Sequence, residues 1–152
     1  GKNFSHYPPE IRAAGIDFSP KMLANAKKRA AQLGLKIELI EMDVQRLTFS
    51  KDSFDTVFAS FVFCSVPNPI LGLQELKRVC KPNGKLLLLE HMRPGNKIAG
   101  KLFDWFNPVA VRISGANINR RTMENIKQAG WRIHHAENIS SGIVWLVEAS
   151  IG

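Results

Sequence analysis

The chain has few cysteines and no long hydrophobic run, and both shortages narrow the classes of protein to which it can belong. Its 152 residues include two cysteines, Cys64 and Cys80, which are too few for a disulfide framework and lack the spacing of metal ligands. We expect both to be buried thiols. No apolar stretch approaches the roughly 18 residues that span a bilayer, and the first residues lack the apolar core of a signal peptide. These features favour a cytoplasmic protein.

The chain has four histidines, and their positions give no metal-binding pattern. Two of the four, His134 and His135, are adjacent in a predicted strand, so their side chains point to opposite faces. We expect one to be exposed and one packed, and we expect no metal site.

Acidic residues are outnumbered, 13 against 21 lysines and arginines, which gives a net charge of +8. A basic chain can favour nucleic acid or anionic lipid. The basic residues are scattered, however, and no aromatic residues alternate with them as on a surface that binds a nucleic-acid strand. A solvated basic surface is the favoured interpretation, and nucleic acid is an improbable partner.

Apolar periodicity and turn residues predict strands that alternate with helices. We expect strands over 13–17, 36–42, 54–63, 85–91, 131–137 and 143–150, and helices over 19–33, 70–80, 96–111 and 120–129. Ser19 is the expected N-cap of the first helix and Asn119 that of the last. The run 54–63 is dense enough to be buried on both faces. The pattern predicts an α/β fold with a mostly parallel, doubly wound sheet, in which the last two strands pair as a hairpin.

Polar side chains stand at the ends of three predicted strands, where open α/β sheets bind their ligands. Asp17 could accept two hydrogen bonds from a ribose diol, or it could be an ordinary acid at a helix start. Asp43 could accept a bond from an exocyclic amine such as that of adenine, or it could be a turn aspartate. His91 could bind or transfer a proton at neutral pH, although a lone histidine is more often not catalytic.

The order of four segments resembles the class I S-adenosylmethionine-dependent methyltransferases, in particular their ubiquinone/menaquinone-biosynthesis-like branch. The segments are GIDFSPKML (15–23), EMDV (41–44), FDTVFAS (54–60) and ELKRVCKPNGKLLLLEH (75–91). A narrower resemblance, to the methyltransferase-like thiol S-methyltransferases, comes from GKNF (1–4), FCSV (63–66) and GAN (115–117).

The resemblance implies a Rossmann-like fold with a reversed last strand, S-adenosylmethionine as cofactor, and a role for each matching residue. By this resemblance, Asp17 holds the ribose hydroxyls, and the adenosine lies against Phe18, Ser19 and Met22. The adenine contacts Asp43 and Val44, and the methionine end of the cofactor lies near Ser60 and Phe61. By the same resemblance, Gly1 is the last glycine of a glycine-rich loop. Tyr7, His91 and the segment 96–107 would face the acceptor, with His91 as the candidate catalytic residue.

The departure from the family pattern lies at the N-terminus. In the family a strand and a glycine-rich turn precede Gly1, so we expect residues 1–152 to be a single domain that lacks its first strand and most of that loop. The absent strand would leave backbone groups unpaired at about 1 to 3 kcal/mol each. We therefore expect a fragment of a longer protein that by itself binds the cofactor weakly or not at all.

The expected acceptor is a small apolar or amphipathic molecule: a thiol, a quinol or a lipid headgroup. The apolar residues of the segment 96–111 are expected to form core or a pocket lid, with a peripheral membrane contact as the alternative. Two other functions stay open, an RNA methyltransferase of the same fold and a non-catalytic domain that serves a protein interface. The acceptor and any homo-oligomer are not fixed by the sequence.

Overall fold

Strands and helices alternate along most of the chain, as the computed structural model describes it for residues 1–140 and 142–152. The chain divides into two compact units, Gly1–Leu47 and Thr48–Gly152. The first unit contains a 3₁₀ helix (Lys2–His6), β1 (Ala13–Asp17), α1 (Pro20–Gln32) and β2 (Ile37–Glu41). The second contains β3 (Phe54–Ser60), α2 (Pro69–Val79), β4 (Cys80–His91), α3 (Lys97–Ser114), α4 (Thr122–Gln128), β5 (Trp131–Ser140) and β6 (Val144–Ile151).

In the first unit, α1 is followed by β2, which lies parallel to β1. Ser19 is the N-cap of α1, as predicted, and its hydroxyl accepts a hydrogen bond from the Met22 amide at 3.4 Å. The helix ends before Gly34, whose φ of +66° is the left-handed conformation that glycine adopts without strain. A small core forms between the 3₁₀ helix, α1 and the strands; its members are Phe4, Ala26 and Ala30, with Tyr7, Leu35, Ile37 and Leu39 packed against them.

The strands of the second unit form one sheet in the order β3-β4-β6-β5. β3 lies parallel to β4, whereas β6 is antiparallel to both of its neighbours. The predicted C-terminal hairpin and reversed last strand are therefore confirmed. β5 extends to Ser140, so most of the predicted loop over 138–142 is strand. β1 and β3 are each edge strands of their own sheets.

The residues between the predicted helix over 70–80 and the predicted strand over 85–91 are a bulge within β4 rather than a break before it. Phe54 lies opposite Cys80, and Thr56 lies opposite Lys85, so the intervening residues loop out of the ladder. Gly84 fits there because a Cβ on it would lie 2.8 Å from the backbone oxygen of Asp55.

One face of the second sheet is buried and the other is partly open, which corrects the expectation for β3. Val57 and Ala59 are buried, but Phe58, between them in sequence, is 39% exposed. Successive strand residues face opposite sides, and the helices that pack in this unit, α2 and α4, contact β4, β5 and each other. The indole Nε1 of Trp131 donates to the Leu73 carbonyl at 2.9 Å, which ties β5 to α2.

The last helix begins later than predicted. α4 starts at Thr122 and its N-cap position is Arg121, because the Asn119 side chain has another partner. The Asn119 amide donates to the Asp104 carboxylate at 3.2 Å instead of capping α4. No helix in the described part of the chain is long and apolar enough to cross a membrane.

Candidate nucleoside site and the strand ends of the second unit

Asp17 closes β1 and bends the chain into α1. Its Oδ1 accepts a hydrogen bond from the Ser19 amide at 2.9 Å, and its Oδ2 has no hydrogen bond to a described residue. The side chain is half-buried. The carboxylate is thus held in one orientation through one oxygen while the other stays open to a donor.

Asp43 follows the neighbouring strand in the same unit. Asp17 lies opposite Glu41 in the parallel register, and the Met42 amide donates to the Asp17 carbonyl at 3.2 Å. Asp43 is exposed and accepts from the Gln45 amide at 2.9 Å and from the Gln45 side chain. The two acids therefore stand at the ends of adjacent parallel strands, each in a local turn.

Apolar side chains accompany these acids without being buried. Phe18 is 75% exposed and Met22 is 52% exposed, although both lie within five residues of Asp17; Val44 is half-buried. The pairing of hydrogen-bond acceptors with exposed apolar surface fits a nucleoside, which combines a diol and an amine with a flat ring. The residues present therefore fit the nucleoside part of S-adenosylmethionine.

Gly1 packs within the first unit. A Cβ on it would lie 3.1 Å from the Phe4 ring and 3.2 Å from the backbone of Ala26. Burial, together with the charge of Arg29, lowers the pKa of its amine below the ordinary value. Tyr7, assigned to the acceptor side by the resemblance, contacts the Phe4 ring at a centroid distance of 5.6 Å, and burial raises its pKa.

In the second unit, β3 and β4 end side by side. Ser60 lies opposite Leu89, and the Phe61 amide donates to the Leu89 carbonyl at 2.8 Å. Phe61 has a φ of +54°, a left-handed conformation that costs a residue with a Cβ about 1 to 2 kcal/mol. Its ring contacts the exposed His91 ring at a centroid distance of 4.6 Å. The structure therefore brings Phe61 and His91 together.

Glu90 is a functional candidate that the sequence reasoning did not single out. It is fully buried, and its Oε1 accepts hydrogen bonds from the Val62 amide at 2.7 Å and the Phe63 amide at 3.0 Å. Its Oε2 is buried without a partner among the described residues. Burial raises the pKa of this carboxyl, and the backbone donors offset part of that effect. Glu90 thus fixes the turn that carries Phe61.

The signal for Glu90 was present in the sequence. It follows Leu86 and Leu88 at a spacing of two, so it lies on the buried face of β4. A carboxylate on such a face needs backbone or charged partners, and the turn after β3 supplies them.

Cys64 and Cys80 are buried and unpaired, as expected. Burial raises the pKa of both thiols, so neither is an activated nucleophile.

The two adjacent histidines are both exposed, which corrects the expectation that one would pack. His134 Nε2 lies 2.6 Å from the Ser150 hydroxyl, and His135 lies 3.6 Å from Glu137. Over residues 1–140 and 142–152, no group of three or more His, Cys, Asp or Glu side chains is placed to hold a metal ion.

Alternating strands and helices, with paired acids at adjacent strand ends, define a Rossmann-like α/β domain. The family model described as "Methyltransferase domain" matches residues 2–88. The chain belongs to this family, and its recognition as a class I methyltransferase of the ubiquinone/menaquinone-like branch is confirmed.

Similar proteins support this assignment. The chain is 37% identical over 93 residues to a phosphatidylethanolamine N-methyltransferase of Cereibacter sphaeroides, covering 60% of this chain and 46% of that protein. It is 37% identical over 106 residues to a demethylmenaquinone methyltransferase of Deinococcus radiodurans, covering 69% and 44%. The crystal structure of a SAM-dependent methyltransferase from Aquifex aeolicus superposes with a TM-score of 0.69 at 21% identity, over 93% of this chain and 69% of that one. This last likeness confirms the Rossmann-like fold. The chain spans somewhat under half the length of the two curated relatives.

Proposed function

We propose that the protein is an S-adenosylmethionine-dependent methyltransferase that acts on a small apolar or amphipathic acceptor. The observation that carries this proposal is the pair of acids, Asp17 and Asp43, at the ends of two adjacent parallel strands, with exposed Phe18 directly after Asp17. Family membership supplies the cofactor class.

The proposed site residues of the first unit have separate roles in binding. The Oδ2 of Asp17 accepts from the ribose hydroxyls while Oδ1 keeps its bond to the Ser19 amide. Asp43 accepts from the adenine amine, and Phe18 and Met22 shield the ring from water, with Ser19, Val44 and Gly1 contributing backbone and packing. When bound, the cofactor supplies a methyl group on a sulfonium, which needs little more than an acceptor in line with it.

His91 is the proposed base. Its ring is exposed and is held against Phe61, so a ring nitrogen can take the proton of a thiol or phenol acceptor as its oxygen or sulfur attacks the methyl carbon. An ethanolamine headgroup is an ammonium at neutral pH, so it must give up a proton before its nitrogen can attack the methyl carbon, and the same ring nitrogen can take that proton.

Two acceptor classes have support from relatives: a quinol, because of the demethylmenaquinone methyltransferase, and an ethanolamine headgroup, because of the phosphatidylethanolamine N-methyltransferase. Both acceptors pair an apolar body with a polar group: in the quinol a hydroxyl whose loss of a proton makes the neighbouring ring carbon nucleophilic, and in the headgroup an amine. An aliphatic thiol is the third class, through the narrower sequence resemblance.

The test separates binding from transfer. S-adenosylhomocysteine binding by calorimetry on the full-length protein should weaken about tenfold to a hundredfold in Asp17→Asn, because a charge-assisted hydrogen bond is lost. Glu38→Gln is the matched control, since Glu38 is an exposed acid on β2 opposite Ala14. Equal binding by the two variants would overturn the site.

Methyl transfer is then measured with radiolabelled cofactor and four acceptors: a demethylated naphthoquinol, phosphatidylethanolamine in micelles, an aliphatic thiol and RNA. Label in one of the first three supports the proposal. Label in RNA alone contradicts it.

A further inference from the structure

The helix α3 turns one side toward the protein, with Gly100 buried and Ala99, Phe103, Asn107 and Ala110 half-buried, and leaves its largest apolar side chains exposed. Asp104 forms an ion pair with Arg93, with Oδ2 2.8 Å from Nη2. Asn107, on the same side of the helix, donates to the Asn117 side chain at 3.1 Å and accepts from the Ile118 amide at 2.9 Å. These polar contacts orient the helix.

The opposite side of α3 carries large apolar residues that remain exposed. Most recur at spacings of three and four, which places them on one face, and their exposed fractions run from 46% to 82%. They are Ile98, Leu102, Trp105, Phe106, Val109 and Ile113. The expectation that these residues form core is wrong, because all six side chains are exposed, whereas the alternative of a pocket lid stays a prediction. We call these six residues the α3 apolar face.

Charge decides what can cover this face. Lys101 and Arg112 are exposed, lie about three helical turns apart along the same border of the face, and form no ion pair with a described residue. The acid of the helix, Asp104, is engaged on the opposite side. The outward half of the helix therefore presents apolar and cationic groups together, on a chain with a net charge of +8.

We propose that α3 is a membrane-docking helix that lies in the plane of an anionic lipid surface, with the α3 apolar face among the acyl chains and Lys101 and Arg112 at the lipid phosphates. Apolar and aromatic residues on one side with basic residues at the border are the features of interfacial helices. A second copy is a poorer occupant, because a two-fold contact would bring the same cations together. Part of the α3 apolar face lies in the segment 96–107, which the sequence resemblance places at the acceptor, but vesicle binding is measured without methyl transfer and is judged separately from it.

The test is flotation of the full chain with vesicles of phosphatidylcholine alone or of phosphatidylcholine and phosphatidylglycerol at a ratio of 7:3. The protein should float with the anionic vesicles, and its tryptophan emission should shift to the blue. That shift should be lost in Trp105→Phe, since Trp131 is already buried and Trp145 is half-buried on β6, outside α3.

Matched variants locate the surface. Leu102→Glu and Val109→Glu should each lower partitioning at least about tenfold, because burial of one such side chain is lost. Ile139→Glu, at an exposed apolar position outside α3, should leave partitioning unchanged. Lys101→Glu with Arg112→Glu should lower binding to anionic vesicles by at least about 25-fold, at roughly fivefold per basic residue. Circular dichroism verifies that each variant is folded.

Three results would overturn the proposal. The first is failure of the protein to float with anionic vesicles. The second is an equal loss of vesicle partitioning in Ile139→Glu. The third is sedimentation that shows a dimer, which Leu102→Glu dissociates, while the unaltered chain does not bind vesicles.

Discussion

The surroundings of Glu90 predict whether its substitution raises or lowers the free energy of unfolding. The carboxylate is fully buried, accepts two backbone amides through Oε1 and leaves Oε2 unpaired. In Glu90→Gln the side-chain oxygen can still accept both amides, and the buried group no longer ionises. In Glu90→Ala the Val62 and Phe63 amides lose their acceptor, at about 1 to 3 kcal/mol each. We expect Glu90→Ala to lower the free energy of unfolding by about 2 to 5 kcal/mol.

The pH dependence separates the two variants. Burial raises the pKa of Glu90 in the folded state above its ordinary value of 4.5, so the folded protein holds this proton more tightly than the unfolded chain does. The resulting stabilisation is complete below pH 4.5 and is lost as the pH rises through the folded-state pKa. Because Glu90→Gln does not titrate, its free energy of unfolding should rise relative to that of the unaltered protein between pH 4.5 and 8.

Urea unfolding followed by tryptophan fluorescence at several pH values measures this difference directly. Above the folded-state pKa, Glu90→Gln should be at least as stable as the unaltered protein, because the cost of a buried charge exceeds the gain from charged hydrogen bonds. A difference that stays constant with pH, or one that falls as the pH rises, would refute the reasoning.

Three further predictions concern single positions. Gly84→Ala should destabilise the protein by about 1 to 3 kcal/mol, since the new Cβ would meet the Asp55 carbonyl and Cys80. Gly95→Ala is the control: its Cβ would have nothing within 4 Å, so it should be neutral in the same urea titration. Trp131→Phe should cost about 1 to 3 kcal/mol because the buried indole bond to the Leu73 carbonyl and part of the packing around Trp131 are lost. An unchanged midpoint would show that the bond contributes nothing. His91→Gln should lower the methyl-transfer rate on a thiol or quinol about a hundredfold. His135→Gln, at an exposed histidine on β5, is the control, and equal rates in both variants would remove His91 from the mechanism.

The parts of the fold that the sequence predicted well are those with local causes. Ser19 and Pro20 mark the start of α1 because capping and a fixed φ act within one turn, and Gly34 marks its end. The proximity of Asp17 and Asp43 could also be predicted, because consecutive parallel strands joined by a helix finish at the same edge.

The predictions that failed concern residues whose surroundings are set by distant parts of the chain. Phe58 lies in an apolar run, but its exposure is set by which sheet face the helices α2 and α4 cover. Asn119 has the chemistry of an N-cap, yet it bonds to Asp104, fifteen residues earlier. The orientation of α3 is of the same kind: its amphipathic pattern is plain in the sequence, but the side that faces the protein, with Phe103 and Asn107 half-buried, is not the side that carries most of its large apolar residues.

A crystal structure of the full-length protein with S-adenosylhomocysteine tests the central claim most directly. The account predicts that one carboxylate oxygen of Asp17 lies within 3 Å or so of the ribose hydroxyls and that Asp43 accepts from the adenine amine. A nucleoside bound elsewhere, or an Asp17 side chain turned away from the ribose, would contradict it.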